Sequence, residues 1–218
     1  MTTLKHYSPP NGPLDVLHLD EHVIVLNKPS GLLSVPGKHA DHKDCLESRV
    51  QAEFPHATTV HRLDMETSGI LVMALNKQAH RYISRGFEDR KTDKTYIARV
   101  DGIVVDDEGS IDLPLICDWP NRPRQMVDHE KGRSALTHYK VMEREETATR
   151  LALYPVTGRS HQLRVHCLSM GHEILGDPLY GRDATIKAAD RLQLHATSLT
   201  IFHPATEEKI TFNSPVPF

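Results

Sequence analysis

Asp64 and Arg62 stand two residues apart in VHRLDMETSGILVMALN (Val60–Asn76), just ahead of an uninterrupted apolar run. A carboxylate in a turn before a buried strand has a rigid backbone beneath it, which a nucleophile or general base requires. A nearby guanidinium keeps such a carboxylate ionised and oriented at neutral pH, although at this separation Arg62 need not face Asp64. The same residues also suit an Asx-type turn, in which Asp64 accepts a backbone N–H and Thr67 and Ser68 do likewise.

A second dense cluster is TGRSHQLRVH (Thr157–His166), with a Gly turn, Ser160 as a helix cap and two arginines. A helix N-terminus beside Arg159 suits an anion, phosphate above all; ordinary capping with a surface arginine is the alternative. Arg164 adjoins the apolar stripe of Leu163, His166 and Cys167. An arginine there needs a carboxylate partner, and Asp64 is one candidate. Tyr96, in DKTYIARV, is either a packing residue or a ring that stacks on a base with a hydroxyl near a proton. Trp119, Arg122 and Arg124 lie in WPNRPRQ, a proline-stiffened loop combining a stacking surface with phosphate-binding groups.

Other chemistries lack their residues. No GxxxxGK[ST], GxGxxG or GxSxG run occurs, and Glu66 is the only carboxylate close to Asp64 in sequence. The three cysteines, Cys45, Cys117 and Cys167, are isolated, which excludes a CxxC site and a disulfide framework and fits a reducing cytosol. The fifteen histidines are scattered. His161 and His166 are five apart, whereas two ligands on one helical face sit three or four apart, so no metal is expected.

These groups need a frame. Val16–Leu19 and Val23–Asn27 read as a hairpin split by Asp20-Glu21, after an irregular arm over residues 1–13. Leu46, Val50 and Phe54 predict a helix over about 44–54, and Asn76 caps another carrying Ala79, Tyr82, Ile83 and Phe87. Strands are predicted at Gly69–Leu75, Tyr96–Val105, Ile111–Ile116, Ala135–Met142, Arg150–Val156, Leu192–Phe202 and Lys209–Phe212. A helix from Ser160 ends at Gly171. Strands outnumber helices without alternating with them, which points to an α+β fold on a mixed, largely antiparallel sheet. No linker marks a break, so residues 1–218 are expected to form a single domain.

The formal net charge is −3, yet charge is segregated. Residues 61–99 carry eight basic and five acidic side chains, residues 119–170 nine and five, and residues 100–118 none and six. Were the two basic stretches adjacent in space, they would make a basic face without a basic pI; otherwise they are separate solvated faces. No stretch approaches the roughly 20 apolar residues of a membrane span, and the N-terminus has no apolar signal core.

The quoted residues carry a resemblance. HRLDMETSG (His61–Gly69) resembles the signature of the RluA-type pseudouridine synthases. NKPSGLLSVPG (Asn27–Gly37), KTYIARV (Lys94–Val100), GRSHQLRVH (Gly158–His166), GHEILGDPLYG (Gly171–Gly181) and LHA (Leu194–Ala196) resemble further blocks of that family, in its order. LPLICDWPNRPRQ (Leu113–Gln125) resembles a loop of the family's dual-specificity member, which acts on both 23S ribosomal RNA and the anticodon stem-loop of tRNA. The resemblance implies one catalytic domain of pseudouridine synthase fold, with a central RNA-binding cleft and no S4-type domain. It implies Asp64 as nucleophile, Arg164 as its ion-pair partner, and Tyr96 against the uracil as a candidate acceptor of the C5 proton. Arg62 would hold the flipped nucleotide, with Trp119, Arg122, Arg124, Arg159 and His161 as further RNA contacts. The implied reaction needs no cofactor and no nucleotide; a cytoplasmic monomer is expected. A non-catalytic RNA-binding module and a carboxylate glycoside hydrolase are the competing readings. The first needs no Asp64, and the second needs a further positioned carboxylate.

Overall fold

The computed structural model describes residues 7–218, so the first six residues of the expected arm lie outside it. In chain order the elements begin with β1 (Val16–Leu19), β2 (Val23–Lys28), α1 (Leu46–Glu53), β3 (Thr58–Thr59), β4 (Ser68–Ala74), α2 (Lys77–Glu88) and β5 (Asp93–Asp101). There follow β6 (Glu108–Asp112), β7 (Leu115–Cys117), β8 (Gln125–Val127), β9 (Leu136–Arg144), β10 (Ala148–Pro155), α3 (Gln162–Ser169), α4 (Asp183–Lys187), β11 (Leu194–Phe202) and β12 (Lys209–Asn213). The chain forms two compact units, residues 7–94 with 195–217, and Thr95–Leu194 with Phe218.

In the first unit the strand order is β1-β2-β4-β11, with β12 on β11 and β3 on β4. Every pairing is antiparallel except β4 with β11. β4 is buried along its whole length, as its unbroken apolar run requires. Its Ile70, Val72 and Ala74 share one face and pack with Val23 and Val25 against Ala79 and Ile83 of α2. Asn76 caps α2 as its sequence indicates, accepting the Ala79 N–H at 2.9 Å. Cys45 caps α1 in a reciprocal capping box with Ser48.

The second unit runs β5-β10-β9-β6, antiparallel throughout, while β7 and β8 form a separate hairpin. Leu163 and Cys167 of α3 pack on Ala98 and Val100 of β5 and on Leu151 and Leu153 of β10. The sheets are thus mixed and largely antiparallel, as expected of an α+β chain.

Besides shifts of up to three residues at strand ends, three departures from the sequence reading have a local cause. β5 stops at Asp101 rather than Val105, because Gly102 turns at φ +75° and donates its N–H to Thr147 O. The segment Ile111–Ile116 is not one strand. Pro114 cannot donate to a ladder, and the chain leaves β6 there to start β7. Ser160 is not the cap of α3: that position falls to His161, at a left-handed φ of 53°. Gln162 Oε1 accepts both the Thr157 hydroxyl and the Arg159 N–H, and this closes the preceding turn one residue later.

Candidate active site

Asp64 is half-buried in the loop between β3 and β4, and Arg62 beside it is exposed. Both peptide neighbours of Asp64 are pinned. On one side, Ser34 Oγ donates to Leu63 O at 2.7 Å and accepts the Leu63 N–H at 3.2 Å. On the other, Met65 O accepts from Lys28 Nζ and from the Gly31 N–H, each at 2.9 Å. Glu66 O takes the Ser30 hydroxyl at 2.7 Å, and the Thr67 N–H closes a turn onto Asp64 O at 3.1 Å.

Lys28 organises this frame. It is fully buried at the end of β2, and its ammonium donates to Pro29 O, Leu32 O and Met65 O at 2.9, 2.7 and 2.9 Å. An ammonium has three N–H donors and no acceptor, so it suits a nest of turned carbonyls. NKPSGLLSVPG is therefore the clamp that holds the Asp64 loop, a role its punctuation by Pro and Gly does not reveal. The available signal is a lysine closing the apolar strand VIVLNK directly before Pro-Ser-Gly.

His61 and Gly69 fix the two ends of the loop. His61 Nε2 accepts the Val72 N–H at 3.0 Å, and its ring stacks on Phe87 of α2 with centroids 4.6 Å apart. Burial, then the Lys94 ammonium, push the His61 pKa down to about 3, so the ring is a neutral acceptor at physiological pH. Gly69 has φ +110°, and a Cβ there would lie 2.3 Å from Ala196 O on β11. Ser68 Oγ meets His195 Nδ1 at 2.8 Å, and His195 Nε2 meets Ser214 Oγ at 3.1 Å. The Thr-Ser-Gly sequence is the close approach of β4 to a parallel neighbour.

The other sequence-selected residues lie in the second unit. Tyr96 on β5 is half-buried, opposite Leu153 and against the core that α3 covers. Arg164 is buried on α3, and Asp177 Oδ2 and Oδ1 accept its Nε and Nη2 at 2.8 and 2.6 Å. Asp177 is a partner that sequence reasoning missed; its signal is an acid between Gly and Pro in GDPLYG, suited to an Asx turn. Arg159 Nε donates to Ser134 O, and His161 Nδ1 lies 2.7 Å from the Tyr180 hydroxyl. Trp119 is 66% exposed, with the Arg122 guanidinium 4.6 Å from its ring centroid, while Arg124 lies over Tyr180 instead. His166 is a core residue: its Nε2–H donates to Leu113 O and its Nδ1 faces Thr137 Oγ1, while burial lowers its pKa.

Among the described residues no three His, Cys, Asp or Glu side chains form a metal-holding group. No helix among them is long and apolar enough to cross a membrane. The first unit thus offers an immobilised carboxylate loop with an exposed arginine, and the second a buried arginine, a tyrosine and an aromatic-cationic loop.

Comparison with known proteins shows the family. The model of the RNA pseudouridylate synthase family matches residues 22–169. The chain is 52% identical to the dual-specificity RNA pseudouridine synthase RluA of Salmonella typhi over 217 residues, 99% of each chain. It is 58% identical to the protein of the same name from Yersinia pestis over 190 residues, 87% of this chain and 92% of that one. Among solved structures, human RNA pseudouridylate synthase domain containing 1 superposes with a TM-score of 0.80 at 28% identity, covering 97% of this chain and 87% of the other.

Proposed function

The chain belongs to the RNA pseudouridylate synthase family, and from that premise we propose that it isomerises uridine to pseudouridine in structured RNA, in both 23S ribosomal RNA and the anticodon stem-loop of tRNA. The observation that carries the catalytic assignment is the pinning of both peptide neighbours of Asp64 by Ser34, Lys28 and Gly31. A scaffold spends a buried lysine on a surface loop when the loop's carboxylate must keep one position.

The reaction breaks the N1–C1′ bond of uridine, rotates the uracil and forms the C5–C1′ bond. The C5 proton departs and N1 gains one, so the exchange is redox-neutral and requires no cofactor. Asp64 acts as the nucleophile that traps the intermediate. Tyr96 lies against the uracil and is the group nearest in chemistry to an acceptor for the C5 proton. Arg164, held in plane by Asp177, completes the catalytic set. A uracil inside a folded loop cannot be reached, so the nucleotide leaves the stack at a cost of roughly a few kcal/mol. Arg62, exposed beside the pinned Asp64, occupies the space the base vacates. Trp119, Arg122, Arg124, Arg159 and His161 supply stacking and phosphate contacts that offset the unstacking.

In this reading the two units act as one catalytic domain, and the enzyme works as a cytoplasmic monomer. The test is tritium release from RNA carrying 5-tritiated uridine, with tRNA and 23S transcripts offered separately. Release from both is expected, and Asp64→Asn is expected to abolish it while leaving RNA affinity within about threefold, since the phosphate contacts that dominate affinity are untouched. Retained turnover in that variant defeats the assignment of Asp64.

A further inference from the structure

The turn Asp177–Tyr180, within GHEILGDPLYG, holds more than its backbone. Asp177 Oδ1 accepts the N–H groups of Leu179 and Tyr180 at 2.9 and 3.1 Å while both carboxylate oxygens grip the Arg164 guanidinium. The Tyr180 ring lies beneath that same guanidinium, 5.1 Å from its central carbon. Arg164 is therefore held at its edge by Asp177 and at its face by Tyr180. Tyr180 is only 5% exposed, so this cation–π contact sits in a largely desolvated setting where it is strongest.

The other end of Tyr180 reaches a different element. Its hydroxyl accepts the Gln125 N–H at 2.8 Å and lies 2.7 Å from His161 Nδ1. Gln125 opens β8, the returning strand of the β7–β8 arm, whose tip carries Trp119 and Arg122. Arg124, one residue before Gln125, adds its guanidinium 5.2 Å from the Tyr180 ring. The arm lies outside the main strand order of its unit and packs on α3 through a small cluster of Leu115, Ala135, Val165 and Tyr180. A pocket of about 250 Å³, open to solvent, lies between the arm and α3, bordered by Gln125, Val127, Val165, Leu168 and Tyr180. Backbone hydrogen bonds between Leu115 and Arg133 fix the base of the arm, and Tyr180 holds its returning strand at Gln125.

We propose that Tyr180 is a positioning residue that latches the Trp119–Arg124 arm to Arg164, so that seating RNA on the arm and setting the catalytic guanidinium are one event. The hydroxyl holds the arm's returning strand at Gln125, and the ring lies against Arg164 and against Arg124 of the arm. This rests on the reading of Arg164 as catalytic and of the arm as RNA-binding. A passive core tyrosine needs neither the two guanidinium faces nor the bridge between Gln125 and His161.

The two roles separate in two variants. Tyr180→Phe removes the hydroxyl and keeps the ring. Its single-turnover rate at saturating tRNA stem-loop should stay within about threefold of wild type, while the RNA concentration for half-maximal rate rises about tenfold. Tyr180→Leu removes the ring as well, and its saturating rate should fall at least about thirtyfold. Trp119 is the chain's single tryptophan, so its fluorescence reports the arm directly. In free Tyr180→Phe its anisotropy should drop and acrylamide quenching rise, both returning to wild-type values when RNA is bound. Equal effects of both variants on rate and half-saturation, or an unchanged Trp119 signal in Tyr180→Phe, would overturn the latch. An absence of tritium release by the wild-type protein would instead defeat the functional reading, while the fluorescence comparison still decides the latch.

Discussion

Replacing Lys28 by Met tests the claim that a buried ammonium, rather than the Asp64 turn itself, fixes the carboxylate proposed as the nucleophile. The side chains have similar length and the site is fully buried, so the change removes three N–H···O interactions with little change in volume. Hydrogen bonds to charged groups contribute about 1.5–3 kcal/mol each, but the substitution also removes the cost of burying the ammonium. What remains is the desolvation of the carbonyls left behind. Met65 O keeps the Gly31 N–H, whereas Pro29 O and Leu32 O each lose a donor. At about 1–2 kcal/mol per carbonyl the expected loss is about 2–4 kcal/mol. For a chain of this size that lowers the melting temperature by about 10 °C. The loss falls on the Pro29 and Leu32 carbonyls of the clamp, while Met65 O beside Asp64 is left with the Gly31 N–H; a displacement near 1 Å at the reacting group reduces the rate about a hundredfold. RNA affinity, which the proposed function assigns largely to the arm and its cations, should change much less. The assays are single-turnover tritium release at saturating RNA, thermal unfolding followed by circular dichroism, and filter binding. A Lys28→Met protein with a rate within about threefold of wild type and a melting temperature within about 2 °C would refute the reasoning.

Gly69→Ala places a Cβ 2.3 Å from Ala196 O at a φ of +110°, and strand β4 cannot shift without leaving β11. A loss above about 3 kcal/mol is expected, read as a lower urea midpoint or loss of soluble protein. Asp20 is subject to opposing effects. Burial pushes its carboxyl up, but hydrogen bonds from His18, the His22 and Val23 N–H groups and His203 outweigh that and hold it well below the usual carboxylate range. Its folded pKa thus lies below the unfolded value, so its stabilisation is present above the unfolded pKa and is lost as pH falls through the folded one. Urea titrations from pH 6 downward should show a steep acid loss in the wild type and a flatter one in Asp20→Asn; parallel curves would remove Asp20 from the account. Arg122→Gln removes an exposed guanidinium next to Trp119, proposed above as a phosphate contact. The slope of log affinity against log salt should shrink by about 0.7–0.9, and an unchanged slope would mean Arg122 touches no phosphate.

Local sequence determined the elements whose residues all favour one state. The apolar run of β4, the Asn76 cap of α2, the β1–β2 hairpin and the β9–β10 pair lie where periodicity and turn chemistry put them. The density of Asp, Arg, Thr, Ser and Gly around Asp64 likewise marked that loop before any fold was known. Tertiary structure decided the partners. Lys28 and Met65 are 37 residues apart, and Ser34 and Leu63 are 29 apart, so no local pattern records that the first loop clamps the second. Asp177 reaches Arg164 over thirteen residues, and Tyr180 reaches Gln125 over fifty-five. The left-handed turn at His161, which displaced the cap expected at Ser160, follows from Gln162 satisfying Thr157 and Arg159. A short-range pattern reports what a residue prefers. Burial leaves a polar group only those partners the folded chain brings to it, and that choice is made across the chain.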